Sequence, residues 1–308
     1  MRWPALDYAA ERDVYETIHA WLQVVGKLPV RTLPWTNHGW HVALRVHPRG
    51  FRTYVLPADG VDYELLFDVI GAEVKLVAST GAEAVFPLDG QTVAAFKTDL
   101  DAALGRIGVA APIDGSPNEV EPAVPFAEDD RKRVWDADTA RRLLGAFQSA
   151  DRVFTAFRSG FVGKSSPSHL FWGSFDLAVT RFTGRAAPLH PGGFPNLPDR
   201  VTREAYSHEV VSAGFWPGGG PVEEAAFYAY TYPAKDAFRD ARIEPEPAYW
   251  LADAGEFALN YADVARADDP DAMLMTFLQS TWEAGAKALD CPEGLVVPVG
   301  PVGQPPER

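Results

Sequence analysis

The sequence predicts an α+β protein: two pseudo-repeated helix–antiparallel sheet–helix units packed as one body. Two observations predict it. Four segments carry apolar residues at helical spacing, and between the members of each pair lie short runs that alternate every second residue, separated by turn residues.

Residues 13–25 place Val14, Ile18, Trp21, Leu22 and Val25 on one helical face, with Gly26 and Pro29 expected to close the helix. A strand is predicted over 40–46, where Trp40, Val42, Leu44 and Val46 alternate with His41, Ala43 and Arg45. Another is predicted over 61–69, with Val61, Tyr63, Leu65, Phe67 and Val69 on one side. Turns at Pro48-Arg49-Gly50, Asp59-Gly60 and Gly71 make consecutive hairpins. Short strands at 73–78 and 82–86 and a helix over 92–107 complete a first unit, 1–110. Residues 111–135, rich in proline and acid, read as an extended connector. The second unit, 136–292, opens on a helix over 139–157. Strands follow at 169–182, 206–216 and 225–232, with shorter ones near 249 and 256–261, and a helix over 270–289 ends it. The Gly/Pro-rich tail, 293–308, is expected to be flexible. The common order of elements, and the similar apolar pattern of 41–45 and 176–180, point to a duplication in which His41 and Asp176 are equivalent.

Composition excludes several function classes. The 308 residues carry 42 acidic against 28 basic side chains, a net charge of −14 that repels nucleic-acid phosphates and anionic lipid. The densest basic run, Arg131-Lys132-Arg133, directly follows Glu128-Asp129-Asp130. No apolar stretch approaches the roughly 20 residues of a membrane span, and the first residues lack the apolar core of a signal peptide. A single cysteine, Cys291, forms no intrachain disulfide, which fits a reducing, cytoplasmic compartment.

One sheet face is wrong for ordinary surface. In 169–182 one side carries His169, Phe171, Gly173, Phe175, Leu177 and Val179, a core side; the other carries Leu170, Trp172, Ser174, Asp176, Ala178 and Thr180. In 206–216, Tyr206, His208, Ser212 and Trp216 share a side, and in the next strand Tyr228, Tyr230 and Tyr232 do. Together Trp172, Asp176, Tyr206, His208, Ser212, Trp216, Tyr228 and Tyr230 describe a small-molecule pocket: rings exclude water and a few polar groups orient a ligand. In this reading Asp176 orients His208, the general acid or base, and Tyr206 or Tyr228 donates a hydrogen bond. Trp172 and Trp216 form walls, and Tyr230 and Ser212 complete the lining. The alternative is an interlayer core whose hydroxyls and imidazole are bonded structurally. Glu209, on the opposite side of its strand, is expected to pair with Arg181 or Arg203. The irregular run 185–199 is expected to be an ordered flap that places His190 at the pocket mouth.

Other motifs carry less. Gly163-Lys164-Ser165 is similar to a phosphate-binding loop, but Arg158 stands where that loop needs glycine. Gly218-Gly219-Gly220 joins two strands. The seven histidines show no zinc spacing; a metal site would have to combine His169, His190 or His208 with Asp176, and metal and cofactor stay undetermined. Cys291 has no basic neighbour in sequence to activate it.

The runs Asn37-His38-Gly39-Trp40-His41-Val42, Phe171-Trp172-Gly173-Ser174-Phe175-Asp176-Leu177, His190-Pro191-Gly192-Gly193, Tyr206-Ser207-His208-Glu209-Val210 and Gly214-Phe215-Trp216-Pro217-Gly218-Gly219 go further. Together they resemble a bacterial family of uncharacterised proteins catalogued as domain of unknown function 5996. The resemblance covers nearly the whole chain and implies a stand-alone bacterial protein of one architecture; it implies no activity, cofactor or catalytic residue. Three functions therefore stand side by side: an enzyme acting on a small molecule, a non-catalytic ligand-binding or sensing module, and an interaction protein that oligomerises through the aromatic face.

Overall fold

The computed structural model describes residues 3–110, 113 and 115–298. The first long helix, α1 (Tyr8–Thr32), is capped by Asp7, whose side chain accepts from the Ala10 N–H. It continues through Gly26 and Pro29, where a stop was expected. Proline costs a helix one backbone donor, and burial of Val24, Val25 and Leu28 holds the last turns in place. The 40–46 strand is also shorter than its alternation suggests. Asn37–Gly39 form a 3-10 turn with His38 at φ 61° and Gly39 at φ 71°, and extended backbone begins only at Arg45. The Asn-His-Gly turn overrides the apolar pattern.

Strands β1 (Arg45–His47), β2 (Gly50–Arg52), β3 (Leu56–Ala58), β4 (Val61–Asp68), β5 (Glu73–Ala78) and β6 (Glu83–Pro87) make the first sheet. It is antiparallel in the order β1-β2-β4-β5-β6, with β3 also on β4. Helix α2 (Val93–Arg106) packs on β6. The expected connector is tightly held: Gln23 exchanges hydrogen bonds with the Asn118 backbone, both at 2.9 Å, and Phe126 is buried. Residues 111, 112 and 114 of that stretch lie outside the described residues.

The second half begins with α3 (Ala137–Ser159). Its sheet contains β7 (His169–Phe171), β8 (Asp176–Ala186), β9 (His208–Trp216), β10 (Ala226–Tyr232), β11 (Tyr249–Leu251) and β12 (Glu256–Asn260), antiparallel in the order β11-β12-β10-β9-β8-β7. Helices α4 (Asp199–Ala205), α5 (Asp236–Arg239), α6 (Tyr261–Arg266) and α7 (Pro270–Ala288) connect and cover it. The tail is ordered further than expected: the Val162 N–H donates to the Leu295 carbonyl at 2.9 Å and the Val297 N–H to that of Gly160 at 3.0 Å. Residues 299–308 are outside the described residues.

One apolar cluster runs through both halves. Phe147 of α3 meets Phe51 of the first sheet and Phe215 of the second edge-on. Leu44 and Leu170 exchange backbone hydrogen bonds of 2.9 and 2.8 Å, joining the edges of the two sheets. The α+β architecture is as the periodicity predicts. The topology does not confirm a duplication, because the strand orders differ and His41 lies in a turn whereas Asp176 opens β8. Glu209 pairs with Arg185 at 2.8 Å and accepts from Thr183 at 2.7 Å, so its partner is neither Arg181 nor Arg203. No helix among the described residues is long and apolar enough to cross a membrane.

Candidate functional site

The site is built by strand register. Directly opposed residues in an antiparallel sheet share a face. Thr180 opposes Ser212, which opposes Tyr230; one step beyond the Ala229–Phe257 pair, Tyr230 meets Glu256. A second row runs from His169 through Ala178 and Gly214 to Tyr228 and Ala258. A third begins with Phe171 opposite Asp176. These rows floor a cavity of about 720 Å³. Its other walls are Trp35, His38, Trp40 and His41 from the first half, Asn118 and Glu119 from the connector, and Phe194, Leu197, Val201 and Thr202 from the flap and α4. The site therefore belongs to both halves, not to the C-terminal unit alone.

Gly214 lets the floor form. Tyr228 lies flat across β9, and a Cβ on Gly214 would come within 2.2–2.4 Å of its ring and hydroxyl. From there Tyr228 donates to Oδ2 of Asp176 on β8, and Ser174 donates to Oδ1. The Tyr206 and Tyr230 hydroxyls are 2.8 Å apart, as are those of Thr180 and Ser212. Trp216 stacks on Tyr228, with ring centres 4.3 Å apart, and Tyr228 lies nearly parallel to Tyr230 at 6.1 Å.

The structure brings together Asp176, Tyr206, Trp172, Trp216, Tyr228, Tyr230 and Ser212 around this cavity. Three of the sequence expectations are corrected. His208 does not meet Asp176. It points to the same side of β9, but the register puts Asp176 beyond the Leu177–Phe215 pair and His208 at the other end, opposite Ala186. That separation is about 25 Å at the rise of an extended strand. His208 instead bonds Ser207 at 3.0 Å and sits edge-on to His38. His190 is not among the lining residues but behind them; it stacks on Tyr206 at 4.7 Å, and its Nδ1 accepts from the Gly192 N–H. The run 169–182 is not one strand, because 172–175 make a hairpin turn with Phe175 at φ 60°. The side-chain alternation reverses across that turn, so Phe171 faces the cavity and Leu170 the core. Trp172 and Ser174 enter from the turn, and Tyr206 from the C-terminus of α4.

Two carboxyls were missed. Glu256 is on the cavity-facing side of β12, and its Oε2 is sealed from solvent with no hydrogen-bond partner. Its alternation with Phe257 and Leu259 was a usable signal, obscured by the shortness of the strand. Glu119, at φ 59°, reaches the space above Gly173, where a Cβ would meet its Oε1 at 2.3 Å. No local pattern marks a residue in an irregular connector.

Burial, and then the neighbouring Asp176 charge, pushes Glu119 up to about 7 and Glu256 up to about 8. Asp176 is raised by burial too, against the lowering effect of its Ser174 and Tyr228 hydrogen bonds. Burial likewise raises Tyr230 to about 12 and leaves Tyr206 and Tyr228 well above the usual phenol range. Near neutrality the cavity thus holds neutral hydroxyls and a Glu256 carboxyl that keeps most of its proton. Among the described residues no group of three or more His, Cys, Asp or Glu could hold a metal ion.

Fold and site define an α+β protein with an aromatic, carboxyl-bearing cavity open to solvent on one side. The model of a family described as "Family of unknown function (DUF5996)" matches residues 3–296, and the chain belongs to that family. Neither the curated proteins nor the solved structures give a match.

Proposed function

We propose that this protein is an enzyme that acts on a small molecule held in the cavity, with Glu256 as the general acid–base group. The observation that carries this is the Glu256 carboxyl: it faces an aromatic cavity with one oxygen unbonded, and burial moves its titration close to neutrality. A catalytic proton carrier works best near the operating pH and within hydrogen-bond reach of its substrate. Asp176 has a different part. Its two oxygens are already taken by Tyr228 and Ser174, so it fixes the floor and sets the local field. The Tyr206–Tyr230 hydroxyl pair supplies the donor to an oxygen or nitrogen of the substrate. A cavity of about 720 Å³ suits a molecule of ordinary metabolite size.

Purified protein incubated with a defined library of polar metabolites, followed by mass spectrometry, tests this. At least one compound should be consumed. Glu256→Gln should slow its consumption about 100-fold or more while the compound still binds, and Tyr230→Phe should slow it less. A compound that binds and persists unchanged, indifferent to Glu256→Gln, would replace the enzyme reading with a binding module.

A further inference from the structure

We infer that the ligand of this cavity is an organic cation, an amine or alkylammonium group attached to an apolar body, whose charge lies between the carboxyls and the ring faces of the floor. This rests on the cavity being a small-molecule site and names the chemical class it accepts.

The first support is charge. Asp176, Glu119 and Glu256 line one cavity. Among the described residues, none of the three forms an ion pair with a cation. Lys27 and Arg200 also line it; Arg200 is exposed at its rim, and the Lys27 ammonium is held by two neighbours in the same lining. It donates to Asn118 Oδ1 and lies over the Trp172 ring, 5.0 Å from its centre. Buried carboxyls without counter-ions either keep their protons or await a cation from outside.

The second support is the shape of the floor. Trp216, Tyr228 and Tyr230 form a stacked series, and Gly214 keeps the strand beneath Tyr228 free of a side chain. Ring faces attract cations and leave anions without a partner. The Glu256 carboxyl lines the cavity one strand from Tyr230, so a bound ammonium would meet both a carboxylate and π faces. An anionic ligand would find neither here.

Matched aromatic amines, alcohols and carboxylates of one and two rings (benzylamine, benzyl alcohol and benzoate as the smallest set) test the class by isothermal titration at pH 8. The amines should bind at least about tenfold more tightly than the alcohols, and the carboxylates more weakly than either. Glu256→Gln, at a side chain without a hydrogen bond among the described residues, should erase most of the amine preference. Alcohols or carboxylates that bind as tightly as the amines would overturn the cation assignment and leave the small-molecule site standing. A wild-type protein that binds none of the three classes at millimolar concentration would overturn both.

Discussion

Gly214→Ala is expected to lower the thermal unfolding midpoint by several degrees and to disrupt the cavity floor. The added methyl would fall within 2.2–2.4 Å of the Tyr228 ring and hydroxyl, separations that require the ring to leave. Moving it breaks the Tyr228 hydrogen bond to Asp176 and the stacking on Trp216. Overpacking of this kind costs about 1–3 kcal/mol, and a buried carboxyl stripped of a donor adds to it. Gly220→Ala is the control, because its Cβ would meet only Trp216 atoms at 3.8 Å. Calorimetry of both variants, with near-ultraviolet circular dichroism to follow the rings, checks this. Equal midpoints for Gly214→Ala and the parent would show that Tyr228 does not lie across β9.

The second large effect is on stability against pH. Glu119 and Glu256 ordinarily titrate at 4.5 but in the folded protein hold their protons to about 7 and about 8. Through that window the folded chain binds more protons than the unfolded one, so these two groups make stability fall as pH rises. The double variant Glu119→Gln/Glu256→Gln keeps the neutral form permanently. It should therefore be more stable than the parent at pH 8, by on the order of 2 kcal/mol once water in the cavity is allowed for, and nearly equal to it only below the ordinary value of 4.5. Burial lowers His19 to about 4 and His169 to about 3, so these histidines act in the opposite sense below their ordinary value of 6.5. They are common to both proteins, so the difference between variant and parent in denaturant titrations isolates the carboxyls. A double variant less stable than the parent at pH 8 would mean that the two side chains are ionised and paired.

Much of this was legible in the residues, because burial imposes a period on regular elements. Strand β5 falls at Glu73–Ala78 as its pattern predicts, and α7 ends within a residue of expectation. The floor residues Ser212, Trp216, Tyr228 and Tyr230 follow from alternation alone, since each strand is long enough to fix its face. What failed was whatever depends on relations between strands. Asp176 and His208 share a face, yet register decides distance, and a run of alternating residues carries no record of which partner it faces. The 172–175 turn was hidden because Phe-Trp-Gly-Ser-Phe continues the alternation while the chain reverses. Glu119 was beyond reach for a third reason: it arrives at the cavity by packing of an irregular segment, which no periodicity describes.

The central claim is that carboxyls in this cavity keep their protons near neutrality. The most direct measurement is a carbon-13 NMR titration of the glutamate side-chain carboxyls in the intact protein, with Glu256→Gln and Glu119→Gln spectra to assign the two signals. One resonance should titrate near pH 8 and disappear in Glu256→Gln, and another near pH 7 should disappear in Glu119→Gln. If both instead titrate at their ordinary value of 4.5, the cavity is an open, hydrated surface and the acid–base site does not exist.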